Sequence, residues 1–83
     1  MSEQFQKVLE QIIVPRYEKL KYVSVNPIGL NQNWFKIIYY FKPPLENKDA
    51  IEIMEETSNL YKMMGEKEGD IIVSFEKFEE EDL

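Results

Sequence analysis

The stretch WFKIIYYFK, residues 34–42, is the strongest β-strand signal in this chain of 83 residues. Aromatic and β-branched residues favour strands, and Pro43-Pro44 ends this one because proline cannot donate to a strand ladder. Successive side chains of a strand point to opposite faces. One face is purely apolar and is predicted to pack against helices: Phe35, Ile37, Tyr39 and Phe41. The other face mixes apolar and basic groups: Trp34, Lys36, Ile38, Tyr40 and Lys42.

The residues before this strand predict a helix and a first strand. Phe5, Val8, Leu9, Ile12 and Ile13 recur at the spacing of one helix face. Ser2 is a suitable N-cap for this helix, and Pro15 ends or kinks it. Alternation over residues 21–28 predicts a strand, in which Pro27 indicates an edge or a bulge.

The residues after the strand predict a second helix and a third strand. Asn47 or Asp49 can cap a helix that ends near Met64, and Gly65 stands where a C-terminal cap glycine belongs. The inner face of this helix is predicted from its periodicity: Ala50, Ile53, Met54, Thr57, Leu60, Tyr61 and Met64. Residues 70–78 alternate as a strand, with Ile71, Val73 and Phe75 on its apolar face.

The element order α-β-β-α-β predicts an α+β fold, a two-layer sandwich in which two helices cover one face of a three-stranded mixed sheet. A hairpin followed by a crossover suggests that the third strand lies beside the first, in the order 2-1-3. Residues 1–78 are expected to form a single domain. Residues 79–83 are four acidic residues and a leucine, and we expect an acidic, frayed tail.

Composition argues against catalysis. The chain has neither His nor Cys, which excludes imidazole and thiol chemistry, zinc fingers and disulfides. The carboxylates of the second helix lie on a convex stripe and not in a cleft, and no phosphate-binding loop or spaced set of metal ligands occurs. We therefore expect no enzymatic activity, no catalytic residues, no metal and no cofactor.

The net charge of −6 is divided unevenly along the chain. Residues 1–42 carry six basic and three acidic groups, which gives +3, and residues 43–83 carry four basic and thirteen acidic groups, which gives −9. An acidic surface is predicted at Asp49, Glu52, Glu55, Glu56, Glu66 and Glu68. It is either a solvated face or a mimic of nucleic acid that occupies a basic groove of a partner. The same charge argues against binding of nucleic acid itself.

The second face of the predicted sheet is a candidate partner-binding surface. It is predicted to contain Trp34, Lys36, Ile38, Tyr40, Ile72 and Phe78. Large apolar groups rimmed by polar ones mark association surfaces, and Trp and Tyr are typical anchors. The alternative is that the tail or the loop at residues 29–33 covers this face.

These features predict a small acidic protein-interaction module. We expect an inhibitor or adaptor, of the kind that a virus or mobile element could encode, that binds a protein partner with a basic surface. The first alternative is a homodimeric assembly domain that uses the second sheet face. Another is a small ligand-binding domain that uses Tyr39, Tyr40 and Lys36, or a nucleic-acid-binding domain that uses Lys21, Lys36 and Lys42. No apolar run approaches the roughly 20 residues of a membrane span, so a cytoplasmic protein is expected.

Overall fold

The computed structural model describes residues 2–30, 34–64 and 70–78, and it confirms the predicted α+β architecture. Helix α1 (Ser2–Ile12) continues through a 3-10 turn (Val14–Arg16) into strand β1 (Leu20–Ile28). Strand β2 (Trp34–Phe41), helix α2 (Asn47–Met63) and strand β3 (Ile71–Lys77) follow. The predicted cap glycine Gly65 and the predicted tail, residues 79–83, lie outside the described residues.

The three strands form one mixed sheet in the order β1-β2-β3. Strand β1 pairs with β2 antiparallel, with Val25 opposite Ile37. Strand β2 pairs with β3 in parallel, with Ile37 opposite Val73. The predicted order 2-1-3 is therefore wrong, because β2 and not β1 is the central strand.

The outer edge of β1 shows why this strand cannot be central. The Val25 backbone N–H donates to Gln6 Oε1 of α1 at 3.0 Å. Backbone groups of alternate residues point to the same edge of a strand, so Pro27 faces this edge too and has no N–H to offer. A third strand placed beside β1 would lose both donors. The edge position that Pro27 predicts is confirmed.

Both helices pack on the predicted apolar face of the sheet. The buried residues are Phe5 and Leu9 of α1 with Ile13 directly after it, and Ile53, Thr57 and Tyr61 of α2, each set spaced by four residues. The buried sheet residues that they cover are Leu20, Val23, Val25, Phe35, Ile37 and Tyr39. Two residues that periodicity places inside are exposed instead, Ile12 by 42% and Met54 by 43%, because each lies at the border of its helix's apolar stripe.

A buried hydrogen-bond chain joins β2 to α2 inside this core. Thr57 Oγ1 lies 2.6 Å from the Ile53 carbonyl oxygen and donates to it. The hydroxyl has only one proton, so Tyr39, whose hydroxyl lies 2.6 Å away, is the donor to Thr57. Burial raises the pKa of Tyr39 to about 12, which keeps this phenol neutral and able to donate at physiological pH.

Candidate functional site

The side of the sheet that faces away from the helices, here called the outer sheet face, is organised in rows across the three strands. The strand register defines the central row as Ser24, Ile38 and Ser74. The row on one side of it contains Tyr22, Tyr40 and Glu76. The row on the other side contains Asn26, Lys36 and Ile72. These three rows therefore contain four aromatic or aliphatic side chains, three small polar ones, and one basic and one acidic group on opposite sides of the centre.

Large side chains on this face are open to solvent. The exposed fraction is 44% for Tyr22, 42% for Trp34 and 44% for Ile72. Lys36 is exposed, and the other predicted members of the face are half-buried: Ile38, Tyr40 and Phe78. The structure thus brings all six predicted residues of the partner surface to one face.

Neither α1 nor α2 covers the outer sheet face, since both helices contribute to the core on the opposite side. Of the loop that could have covered it, Leu30 is fully exposed and residues 31–33 lie outside the described part of the chain. The tail that could have covered it also lies outside.

An aromatic cluster occupies one end of the outer sheet face. The rings of Tyr22 and Tyr40 stack with centroids 4.3 Å apart, and Phe78 meets Tyr22 edge-on at 6.2 Å. Desolvation among these rings raises the pKa of Tyr22 above its ordinary value, and the Tyr40 hydroxyl and the Glu76 carboxylate act in the same direction. Tyr22 was absent from the predicted surface. Its alternation with Ser24 and Asn26 is the signal that could have placed it there.

The predicted acidic surface divides into residues with different surroundings. Glu56 forms an ion pair with Arg16, with 2.6 Å between Nη1 and Oε1. The Tyr17 hydroxyl lies 2.6 Å from Glu52 Oε1 and 3.2 Å from Glu56 Oε2. Burial and these two carboxylates raise the pKa of Tyr17 well above its ordinary value. Glu52 and Glu56 therefore hold α2 against the segment between α1 and β1.

The other members of the acidic surface do not share this contact. Asp49 lies in the first turn of α2, where its charge is favourable for the helix dipole. Glu55 is exposed and points about 100° around the helix from its neighbour Glu56. Glu66 and Glu68 lie outside the described residues. The carboxylates thus form no single uniform surface in the part of α2 that the structure shows.

The structure also separates the residues suggested for a ligand site. Tyr39 is buried beneath α2, whereas Tyr40 and Lys36 are on the outer sheet face, so these three cannot act on one substrate. A shallow depression of about 190 Å³ lies between the two helices, lined by Ile12, Arg16, Glu56, Asn59 and Leu60. Its two charged groups are already paired with each other.

Within residues 2–30, 34–64 and 70–78, no three carboxylates lie close enough to hold a metal ion, and no helix is long and apolar enough to cross a membrane. Comparison with protein-family models, curated proteins and solved structures finds no match to this chain. The outer sheet face, with its open aromatic and aliphatic groups, is therefore the feature on which a functional conclusion can be based.

Proposed function

We propose that this protein is a protein-interaction module that binds its partner through the outer sheet face. The observation that carries the proposal is the joint exposure of Tyr22, Trp34 and Ile72 on one face that neither helix covers. Burying apolar surface stabilises a complex by roughly 25 cal/mol per Å². Trp and Tyr are also the residues that most often dominate binding energy.

The charges on this face favour a protein over a nucleic acid. Lys36 is the one basic group in the three central rows, and Glu76 balances it. Binding to a phosphate backbone needs clustered basic groups, whereas a protein interface is served by an apolar centre with a few polar groups at its rim. The face therefore suits an inhibitor or adaptor that recognises an apolar patch on another protein.

The acidic surface lends less support than the sheet face. Glu52 and Glu56 already accept hydrogen bonds or an ion pair from Tyr17 and Arg16. A groove that recognised them as substitutes for phosphate would have to compete with those contacts. Mimicry of nucleic acid would therefore depend on the other carboxylates of the acidic surface, and a separate variant tests it.

The proposal is tested by comparing what three forms of the chain capture from a cell extract at physiological salt. The forms are the unmodified chain, the variant Trp34→Ala/Ile72→Ser and the control Met63→Ser, which alters an exposed residue of α2. We expect a protein captured by the first and third forms and lost from the second. Its affinity, measured with the purified protein, should fall at least about tenfold in the face variant, or roughly 1.4 kcal/mol.

Equal affinity of the purified partner for the unmodified chain and the face variant, with both folded by circular dichroism, would contradict the proposal. Asp49→Asn/Glu55→Gln tests the acidic surface in parallel. Loss of capture in this variant and in high salt, with the face variant unaffected, assigns binding to the acidic surface instead.

A further inference from the structure

The edge of β3 that faces away from β2 carries unpaired backbone groups. The Phe35 N–H donates to the Asp70 carbonyl at 3.0 Å, and the Phe78 N–H donates to the Phe41 carbonyl at 2.7 Å. Residues 70, 72, 74, 76 and 78 therefore point their backbone groups toward β2. Since these groups alternate along a strand, Val73 and Phe75 point theirs away from the sheet.

The two edges of the sheet differ in how they are protected. On β1, Gln6 accepts the Val25 N–H and Pro27 has none. On β3 only the end is protected, where the Ile71 N–H donates to Asp70 Oδ1 at 2.8 Å. No described group accepts the outward N–H of Val73 or Phe75. An edge without proline, bulge or cap is a template for pairing with another strand.

The apolar face of β3 is also incompletely covered. Its side chains on the helix-covered face are half-buried, namely Ile71, Val73 and Phe75. Their neighbours on β2 and most of those on β1 are buried: Phe35, Ile37, Tyr39, Val23 and Val25. On α2, Met54 is 43% exposed and Ile51 is 57% exposed. Both lie more than 130° around the helix from Glu56, and Glu56 faces the α1 side. The open backbone edge and an open apolar flank thus belong to the same side of the domain.

We infer that β3 pairs antiparallel with β3 of a second copy of this chain, which joins two three-stranded sheets into one of six strands. This interface is separate from the outer sheet face and goes beyond the proposed function. A two-fold axis relates two identical edges only in the antiparallel sense.

Hydrogen bonding and charge select one register for this pairing. Antiparallel ladders bond residues that lie directly opposite each other. On β3, only Ile71, Val73, Phe75 and Lys77 direct their backbone N–H and C=O groups toward the free edge. A register centred on Ser74 places Val73 opposite Phe75 of the second copy. Moving the centre to Val73 would place Asp70 opposite Glu76, which is a repulsive pair. Moving it to Phe75 would leave Ile71 with no opposite residue in β3 (Ile71–Lys77), whereas the register centred on Ser74 pairs all four of these residues.

This register also explains the uncovered apolar flank. Opposite residues of an antiparallel pair share a face of the sheet, so the helices of both copies lie on the same side. The half-buried Val73 and Phe75 side chains then meet across the new ladder. The exposed Met54 and Ile51 of each copy are directed toward the other copy's α2.

The pairing enlarges the surface proposed for partner binding. Strands lie about 4.8 Å apart and rise about 3.3 Å per residue, so three strands of eight residues offer a footprint of roughly 400 Å². Specific interfaces bury about 800 Å² per partner. A six-stranded outer sheet face doubles the footprint that a single copy offers.

Amide hydrogen exchange of the unmodified chain, from micromolar to millimolar concentration, tests the inference. We expect the N–H groups of Val73, Phe75 and Lys77 to exchange freely when dilute and at least about tenfold more slowly when concentrated. Those of Ile72, Ser74 and Glu76 should be protected throughout. Sedimentation should show a monomer converting to a dimer over the same range.

A matched set of variants separates the edge from the outer sheet face. Val73→Pro removes an outward N–H without touching the β2–β3 ladder and should abolish the dimer, whereas Val73→Ala trims the same side chain and should still dimerise. Circular dichroism of both variants establishes that they are folded.

Three results would overturn the inference: a monomer at all concentrations, a dimer whose Val73 and Phe75 amides stay unprotected, or a dimer that survives Val73→Pro and is lost in Ile38→Asp. The last result would mean that the copies stack through their outer sheet faces. If capture of a partner is lost in the Trp34→Ala/Ile72→Ser variant but retained in Val73→Pro, the proposed function stands without the dimer. The two proposals can therefore fail separately.

Discussion

Tyr39 and Tyr40 are adjacent on the central strand and have opposite surroundings. Tyr39 is fully buried, with its hydroxyl bonded to Thr57 of α2. Tyr40 lies on the outer sheet face, where its ring stacks on the exposed ring of Tyr22. Similar pairs run along β2, with Phe35 and Ile37 on the covered side and Trp34 and Ile38 on the open side.

The two faces differ in what covers them, although both carry large apolar side chains. Two helices complete the inner face, so its residues contribute to the stability of the single chain. The outer face carries Trp, Tyr and Ile side chains among polar and charged ones, and neither helix lies upon it. A strand that is apolar on both sides and covered on one is typical of a surface that binds another molecule.

The largest effect is expected from matched substitutions at the centre of β2. Ile37→Ala should lower the free energy of unfolding by about 2–5 kcal/mol, because Ile37 is fully buried and its removal leaves a cavity. Ile38→Ala, which trims a half-buried side chain of the outer sheet face, should lower the free energy of unfolding by less than about 1.5 kcal/mol. Urea titration measures both values, and Ile37→Val provides a smaller cavity if Ile37→Ala does not fold. Equal costs at the two positions would contradict the contrast between the faces.

Raising the pH should lower the free energy of unfolding through ionisation of the buried Tyr39, which gives a second test of the contrast between the two faces. Burial and the Glu56 carboxylate raise the pKa of Tyr39 to about 12. Tyrosine in the unfolded chain ionises near pH 10. The stability that the neutral phenol contributes is therefore fully present below pH 10 and is lost as the pH rises toward 12. The loss is roughly 2–3 kcal/mol.

Tyr39→Phe and Tyr40→Phe are the matched variants for this prediction. Tyr39→Phe should cost about 0.5–1.5 kcal/mol at neutral pH, because the bond to Thr57 is lost, and it should flatten the alkaline decline. Tyr40→Phe should leave stability at neutral pH nearly unchanged, and it should flatten the decline less than Tyr39→Phe, because it removes only the Tyr40 contribution to the raised pKa of Tyr22. Urea unfolding from pH 9 to 12 measures the effect, and an unchanged decline in Tyr39→Phe would show that the buried phenol is not its source. Tyr17 and Tyr22, whose pKa values are also raised, remain in both variants.

The smallest effect on stability is expected at two adjacent residues of α2, of which Glu56 is paired and Glu55 is exposed. Glu56→Gln should lower the free energy of unfolding by about 0.2–1 kcal/mol, because Glu56 pairs with Arg16 and the Arg16 side chain is 55% exposed, so solvent screens the pair. Glu55→Gln should leave stability unchanged. A double-mutant cycle with Arg16→Met measures the coupling, and a coupling of zero would remove the structural role assigned to Glu56.

The sequence predicted the elements of this fold because their signals are local. Helical spacing in residues 2–13 and alternation in residues 34–42 are readable within a few residues of chain. The same alternation placed Trp34, Lys36, Ile38 and Tyr40 together on one face, and the structure agrees. Strand order was predicted wrongly, although Pro27 carried the relevant signal.

The tertiary structure decided the features that depend on distant partners. Gln6 closes the edge of β1 from a position 19 residues away along the chain, and Tyr17 engages two carboxylates of α2 from 35 and 39 residues away. No local pattern reports such contacts, because they depend on how the helices lie over the sheet. Alternation alone therefore determined which residues share a face, and packing determined which face and which edge remain open.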